Sequence, residues 1–285
     1  MQTLKQQLAG GPAVLAPLVL NALMAKLAEE AGFKALYLGG GASGYANAYL
    51  EANLTLTEMC AAGLRIRAAS RLPLILDGAG GWGDPMHMRR TVRTAEAAGF
   101  AAIEIEDQLL PKRAHHHVGI EHMVPVELMA AKVREAVAAR ASAEFLIIAR
   151  TNGIRSSSME DALRRAEAYA KAGADILLLS PRNAEEVRLV GERLRPPLML
   201  LAAGGLGRLG LGIDELAALG FRLLVDPQTP LLAAYLAWQA CYRALADGLN
   251  DAGIDSAEVQ RQIHASIGMD EMLRIERETV ETGEA

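Results

Sequence analysis

The sequence predicts an α/β protein of the (β/α)8 TIM-barrel class with extra helices at its C-terminal end. Short apolar runs typical of buried parallel strands alternate with longer amphipathic segments, and eight such runs are present. Three of the intervening segments end in Ala-Gly pairs typical of left-handed helix caps, at residues 31–32, 98–99 and 172–173. Polar residues directly follow several runs, which is where barrel enzymes place their catalytic groups.

An open, doubly wound sheet is the alternative fold. It is disfavoured because the turn Gly39-Gly40-Gly41 lacks the spaced third glycine of a dinucleotide-binding fingerprint. The predicted strands, in order, are Ala13–Ala16, Ala35–Leu38, Leu74–Leu76, Ala102–Ile105, Phe145–Ala149, Ile176–Leu179, Leu198–Leu201 and Arg222–Val225. A helix is predicted between each pair of consecutive strands.

Two further helices are predicted beyond the barrel, at residues 256–267 and 270–281. We therefore divide the chain into a catalytic barrel, residues 1–250, and a helical extension, residues 251–285. The extension places Met269, Met272, Leu273 and Ile275 at helical spacing, which is more apolar than a free tail should be. These helices are expected to pack against another subunit.

Composition excludes several classes of partner. A chain of 285 residues with 51% hydrophobic residues suits one large domain, and its net charge of -5 offers no basic surface for nucleic acid. Glycines and prolines interrupt the apolar N-terminal stretch, and no segment approaches the roughly 20 apolar residues of a membrane helix. Cys60 and Cys241 have no nearby ligand partner, so we expect free thiols in a reducing, cytoplasmic compartment.

Charged side chains follow three consecutive predicted strands. Asp77 follows the third strand, Glu106 the fourth and Arg150 the fifth. Because the carboxyl ends of barrel strands meet on one face, these groups are expected to converge. Carboxylates suit a hard divalent cation, and a guanidinium suits bidentate capture of a carboxylate. The alternatives are a helix-capping role for Asp77 and a structural ion pair between Glu106 and Arg150.

Several motifs, in order and at matching separations over most of the chain, resemble the isocitrate lyase and phosphoenolpyruvate mutase superfamily. They are Tyr37-Leu38-Gly39-Gly40-Gly41, Asp77 ahead of Gly81-Trp82-Gly83, Ile105-Glu106-Asp107-Gln108, Pro111-Lys112-Arg113 and Ala149-Arg150-Thr151. The resemblance implies a barrel that binds Mg²⁺, or alternatively Mn²⁺, and holds a small 2-oxo or 2-hydroxy carboxylic acid. It also implies that a bond is broken or formed beside an enolpyruvate-type intermediate, and that the C-terminal helices are exchanged between the subunits of a homodimer or homotetramer.

The resemblance also implies roles for individual residues. The metal-binding candidates are Asp77, Glu106 and Glu51. The substrate-binding candidates are Tyr37, Gly39, Gly40, Gly41 and Arg150. The catalytic candidates are Lys112, Arg113 and His116, on a mobile gate loop that closes over the substrate and excludes water.

The sequence also departs from the superfamily pattern. Ala114 stands where many of these lyases carry a proton-donating Cys, and His116 is the candidate replacement because imidazole titrates near neutrality. Ala79 replaces a second Asp, and Glu51 replaces another. Gly39, Ser180 and Leu201 replace residues that contact the distal part of the substrate, which indicates an altered or smaller substrate, with Arg182 as a possible new anion contact.

Four functions remain open. Decarboxylation of an oxaloacetate-like acid is favoured because it tolerates the missing Cys. Retro-aldol cleavage of a 2-methylisocitrate or 2,3-dimethylmalate type acid requires two positioned proton carriers. Phosphonate-bond mutase or hydrolase chemistry comes third. A barrel that has lost catalysis and serves as a binding protein is the alternative from a different class, motivated by the substitutions.

Overall fold

Eight parallel strands form a nearly closed barrel in the computed structural model, which describes residues 2–195, 197–248 and 253–280. The strands are β1 Val14–Pro17, β2 Leu36–Leu38, β3 Leu74–Asp77, β4 Ala102–Glu106, β5 Leu146–Arg150, β6 Ile176–Leu178, β7 Leu198–Leu201 and β8 Phe221–Asp226. They are hydrogen-bonded in the order β1-β8-β7-β6-β5-β4-β3-β2, and a parallel bridge between Leu18 and Tyr37 brings the two ends together. The predicted (β/α)8 barrel is confirmed.

Helices connect the strands and continue beyond them. They are α1 Leu4–Leu8, α2 Ala22–Glu30, α3 Gly40–Ala46, α4 Leu56–Ala69, α5 Pro85–Ala97, α6 Val126–Ala139, α7 Gly153–Ser156, α8 Met159–Lys171, α9 Ala184–Arg193, α10 Ile213–Ala218, α11 Thr229–Ala246, α12 Ser256–Ile267 and α13 Met269–Thr279. Single 3₁₀ turns occur at Glu51–Asn53, Ala114–Val118 and Gly207–Leu209.

Alternation along each strand divides the core into two layers. Side chains such as Ile75, Ile148 and Leu178 fill the barrel interior, whereas their neighbours pack outward against the helices. Leu4 and Leu8 of α1 belong to the interior layer, so α1 covers the N-terminal end of the barrel. The opposite, C-terminal end is left for the site.

Strands β3, β4 and β5 are each one residue longer than predicted at their C-terminal ends. The ladder pairs Asp77 with Glu104 and Glu106 with Arg150, so the charged residues belong to the strands themselves. The predicted bounds are wrong because the apolar pattern ends before the backbone hydrogen bonding does. Since side chains alternate, Glu104 and Glu106 face the same, interior side of β4.

The C-terminal helices leave apolar side chains uncovered. Neither α12 nor α13 buries any of its residues, and Tyr235, Trp238 and Tyr242 of α11 are 57%, 51% and 70% exposed. A groove of about 920 Å³ between α2, α4 and α11 has Trp238 on its wall. The predicted boundary at 250/251 falls among residues 249–252, outside the described residues, and the domain division stays a prediction.

The structure bears on the cysteines and on membrane-spanning helices. Cys60 and Cys241 are both free thiols, as the sequence predicts. Within residues 2–195, 197–248 and 253–280, none of the helices combines the length and the apolar character needed to cross a bilayer.

Candidate active site

Asp77 is fixed by backbone amides at the C-terminal end of β3. Its Oδ2 accepts a hydrogen bond from the Gly40 amide at 2.9 Å, and its Oδ1 accepts one from the Ala79 amide at 3.1 Å. Ala79 has a φ of 45°, a left-handed conformation that costs a non-glycine residue about 1–2 kcal/mol. The turn keeps this conformation because the Ala79 carbonyl accepts from the Glu106 amide at 2.8 Å, which joins it to β4.

Gly40 allows Glu51 to approach Asp77. A Cβ atom at position 40 would lie 2.7 Å from Glu51 Oε1, a distance that real Cβ atoms do not tolerate. The glycine therefore lets the Glu51 carboxylate lie against the first turn of α3, beside the amide that binds Asp77. This close approach, rather than a flexible turn, explains the second glycine of the Gly39-Gly40-Gly41 motif.

Lys112 of the gate loop lies between two buried carboxylates. Its Nζ donates to Glu106 Oε1 at 2.5 Å and lies 2.8 Å from Glu51 Oε1. Burial alone lowers the pKa of Lys112, but the charges of Glu106 and Glu51 outweigh burial and raise the pKa above its ordinary value. Lys112 therefore stays an ammonium ion inside the site.

Arg150 forms the second cationic contact of the site. Its Nη1 donates to Glu104 Oε1 at 2.9 Å, and its Nε lies 3.4 Å from Glu106 Oε2. Tyr37 donates its hydroxyl to the other Glu104 oxygen at 2.9 Å from inside the barrel. Burial raises the pKa of Glu106, but Lys112 and Arg150 outweigh it and hold the pKa below its usual range. Glu106 is therefore an anion.

A second layer of polar groups orients Asn152. The Asn152 amide group donates to Glu106 Oε2 at 2.9 Å, and its oxygen accepts from Arg150 Nε at 3.2 Å. Asp107 accepts the Asn152 backbone N–H at 3.2 Å and the Tyr169 hydroxyl at 2.8 Å. Because Asp107 ties β5 to α8 at this point, the Asn152 side chain has little freedom to turn away.

The site contains more negative than positive charge. Asp77, Glu51, Glu104 and Glu106 face only Lys112 and Arg150, which leaves two negative charges in excess if all six groups are ionised. Burial, with Asp77 adding to it, raises the pKa of Glu51 to about 8 and that of Glu104 to about 7. A divalent cation would balance this excess.

The residues present fit a hydrated divalent cation. Glu51 Oε1 is buried and has no hydrogen-bond partner, although the Lys112 ammonium lies close to it. Across the described ranges, no three His, Cys, Asp or Glu side chains converge as direct ligands. Mg²⁺ usually keeps several waters and one or two carboxylates, so this arrangement suits Mg²⁺ better than a closed cage.

The gate loop is closed over the carboxylates and is held by its histidines. His116 Nδ1 lies 2.7 Å from Glu121 Oε2, and the Gln108 amide contacts both groups. The Glu121 side chain is fully buried and also lies 3.3 Å from Arg155. This set of polar contacts, which we call the gate latch, fixes the loop beside Lys112.

His117 occupies a different position on the same loop. Its Nδ1 lies 3.1 Å from the hydroxyl of Tyr45, near the end of α3, and its Nε2 is buried without a hydrogen-bond partner. Burial, followed by the charges of His116 and Lys112, lowers the pKa of His117, so the ring is neutral at pH 7. His115 instead faces His122 at 3.1 Å and is exposed.

Most residues predicted from sequence are brought together here. The cluster contains Tyr37, Gly40, Glu51, Asp77, Glu106, Lys112 and Arg150. Arg113 is exposed, and no described residue forms an ion pair with it. Arg182 lies outside the cluster because it pairs with Glu186 on the surface of α9.

Sequence reasoning missed several residues that complete the site. They are Tyr45, Glu104, Glu121 and Asn152. His117 belongs to the histidine run of the gate loop, within which the sequence favours His116. Only Glu104 had a signal, because a charged residue two positions before Glu106 must face the same side of a buried strand.

The family model described as phosphoenolpyruvate phosphomutase matches residues 4–246. The chain belongs to this family. It is 34% identical over 270 residues to the 2,3-dimethylmalate lyase of Eubacterium barkeri, covering 92% of both chains. It is 35% identical over 244 residues to the oxaloacetate decarboxylase of Pseudomonas putida, covering 84% of this chain and 82% of the relative.

Solved structures agree with the sequence relatives. A phosphonopyruvate hydrolase in complex with oxalate and Mg²⁺ superposes with a TM-score of 0.85 at 27% identity, covering 97% of this chain and 98% of that one. The resemblance to the isocitrate lyase and phosphoenolpyruvate mutase superfamily is therefore confirmed. The chain is an enzyme of the carbon–carbon lyase class, and the alternative of a non-catalytic binding barrel is set aside.

Proposed function

We propose that this enzyme is a Mg²⁺-dependent lyase that decarboxylates a small 2-oxo dicarboxylate of the oxaloacetate type. The observation that carries the proposal is the buried cluster of Asp77, Glu106 and Arg150 beneath a closed gate loop that has no cysteine. The family contains an oxaloacetate decarboxylase that is 35% identical to this chain, which supports the same choice.

Arg150 is proposed to hold the substrate carboxylate. Its Nη1 and Nε are occupied by Glu104, Asn152 and Glu106, whereas Nη2 has no hydrogen bond to any described residue. A guanidinium that is clamped on two nitrogens can direct the third at a ligand without losing its orientation. The substrate would then lie between Arg150 and Asp77.

Asp77 is proposed to hold the metal, with Glu106 and Glu51 contributing directly or through water. Bound Mg²⁺, or Mn²⁺ as the alternative, supplies Lewis-acid stabilisation of the negative charge that develops on the 2-oxo oxygen. Lys112 keeps Glu106 charged and holds both Glu106 and Glu51 in place. The closed loop excludes water, which strengthens every charge interaction in the site.

Decarboxylation fits the proton carriers that the loop offers. Breaking the C3–C4 bond releases CO₂ and leaves the electron pair as the enolate of pyruvate, so no base is needed and one proton is taken up later. Ala114 cannot supply this proton. The gate loop instead supplies imidazole rings, of which His116 is the residue predicted from sequence.

Retro-aldol cleavage of a 2,3-dimethylmalate or 2-methylisocitrate type acid is the second candidate. It needs one group to deprotonate the hydroxyl and another to protonate the enolate. The gate loop carries two rings that interact electrostatically with the site: His116 with Glu106, and His117 with Lys112 and Glu106. Two possible proton carriers favour keeping this candidate. Phosphonate-bond chemistry stays a third prediction.

Turnover of oxaloacetate with Mg²⁺ tests the proposal. We expect pyruvate release, followed with lactate dehydrogenase, to require added Mg²⁺ and to be lost after EDTA treatment. Because free Mg²⁺ also decarboxylates oxaloacetate slowly, the Lys112→Met variant is the matched blank and should fall to that background. Cleavage of 2,3-dimethylmalate without turnover of oxaloacetate would favour the retro-aldol candidate, and full activity in EDTA would contradict a metal-dependent reaction.

A homo-oligomer is proposed as the working form. The uncovered apolar side chains of α11, α12 and α13 include Tyr235, Trp238 and Tyr242, and their burial by a second copy would remove them from water. We expect light scattering to give at least twice the mass of one chain. Replacing Leu236, which is 64% exposed on α11, by Glu should shift the mass towards the monomer, and a monomer before any substitution would contradict the proposal.

A further inference from the structure

The hydroxyl of Tyr45 contacts the part-buried ring of His117 and so joins the exposed surface of α3 to the gate loop. Tyr45 is 53% exposed, whereas His117 Nε2 is buried. The two residues are 72 positions apart in sequence and are joined at 3.1 Å between Oη and Nδ1. The Tyr45–His117 contact therefore links the exposed surface of α3 to a buried ring nitrogen of the gate loop.

His117 Nε2 is buried and has no hydrogen-bond partner among the described residues. A buried N–H without an acceptor costs about 1–3 kcal/mol. The charges of Lys112 and Glu106 lower and raise the pKa of His117, respectively, so the ring lies within electrostatic range of the carboxylate cluster. An unpaired nitrogen at this position is suited to a group that arrives with the substrate.

We propose that Tyr45 and His117 form a proton relay that carries a proton from solvent to the enolate inside the closed site. This inference rests on the proposed function and names the proton carrier that replaces the missing cysteine. His117 is the donor, and Tyr45 is the positioning and supplying residue. His116 serves the gate latch, since its Nδ1 is held by Glu121.

The relay balances at each atom. In the proposed relay, Tyr45 Oη–H donates to Nδ1 and the neutral ring carries its proton on Nε2, because this tautomer leaves an N–H for the enolate. The enolate carbon takes the Nε2 proton while Nδ1 takes the tyrosine proton, which forms one C–H bond and one N–H bond and breaks one N–H and one O–H bond. The tyrosinate recovers a proton from water at the exposed surface, and the ring regains its starting tautomer when the gate opens.

Two variants and their combination test the relay with oxaloacetate and Mg²⁺. In His117→Asn and in Tyr45→Phe we expect kcat for pyruvate formation to fall about 10²-fold, with KM within about twofold. We also expect CO₂ release to precede the keto form of pyruvate, because enolpyruvate leaves and is protonated in solution. Since the two residues act as one unit, the double variant should be no slower than either single variant.

His115→Asn is the matched control. It removes an imidazole from the same loop, but His115 faces His122 on the exposed side. We therefore expect kcat to be unchanged, and CO₂ release and the keto form of pyruvate to appear together as in the unaltered protein. The relay would be overturned if both relay variants kept the kcat of the unaltered protein and released CO₂ and keto pyruvate together. It would also be overturned if only His116→Asn lowered kcat, which would assign the proton donation to His116. Absence of turnover in the unaltered protein with all proposed acids would instead reject the proposed function and the relay with it.

Discussion

Replacement of Asp77 by Asn is expected to lower kcat/KM by about 10³-fold or more. The substitution removes the charge that would hold Mg²⁺, and loss of Lewis-acid stabilisation worth about 4 kcal/mol corresponds to this factor. The amide also cannot accept from both the Gly40 and Ala79 amides as the carboxylate does, because one of its two polar atoms is a donor. Steady-state kinetics with oxaloacetate and Mg²⁺ titration calorimetry measure the two effects.

Asp214→Asn is the control for this prediction. Asp214 lies in the first turn of α10, is exposed and has no role in the site, so both kcat/KM and Mg²⁺ affinity should match those of the unaltered protein. An Asp77→Asn protein that binds Mg²⁺ with unchanged affinity would show that the metal, if it is needed, is held elsewhere.

Asp77, Glu106 and Arg150 could be predicted from sequence because local pattern and barrel geometry are sufficient for them. An apolar run that ends in a charge indicates a strand end, and the carboxyl ends of parallel strands share one face of the barrel. The predicted C-terminal ends of β3, β4 and β5 are one residue too early, because hydropathy does not indicate where the backbone hydrogen bonding between strands ends. Glu104 was missed for a different reason: it lies inside the predicted strand Ala102–Ile105, where a charged residue was assigned to the strand and not to the site.

The gate contacts could not be predicted in the same way. Tyr45 meets His117 across 72 positions, and Thr151 meets Asp107 across 44, so neither contact follows from spacing along the chain. They depend on how the loop closes over α3 and on the packing of β5 against β4. The sequence favours His116 among the three adjacent histidines, but it does not predict that each has a different partner: His122 for His115, Glu121 for His116 and Tyr45 for His117.

Replacement of Arg150 by Met is expected to destabilise the fold as well as abolish substrate binding. Arg150 is buried against Glu104 and Glu106, and removal of one partner from a buried ion pair costs about 3–5 kcal/mol because it leaves an uncompensated charge. Tyr37 and Asn152 would also lose an oriented neighbour. Urea unfolding followed by circular dichroism measures the free energy of unfolding.

The Arg140–Asp175 pair provides the comparison for this loss. Arg140 lies 2.6 Å from Asp175, but both side chains are about one-fifth exposed, so Arg140→Met should cost less than Arg150→Met. Adding Glu104→Gln to Arg150→Met removes the unpaired carboxylate and should recover part of the stability. If Arg150→Met and Arg140→Met were equally mild, the interior carboxylates would not need Arg150 for charge compensation. The role of Arg150 would then reduce to contact with the substrate.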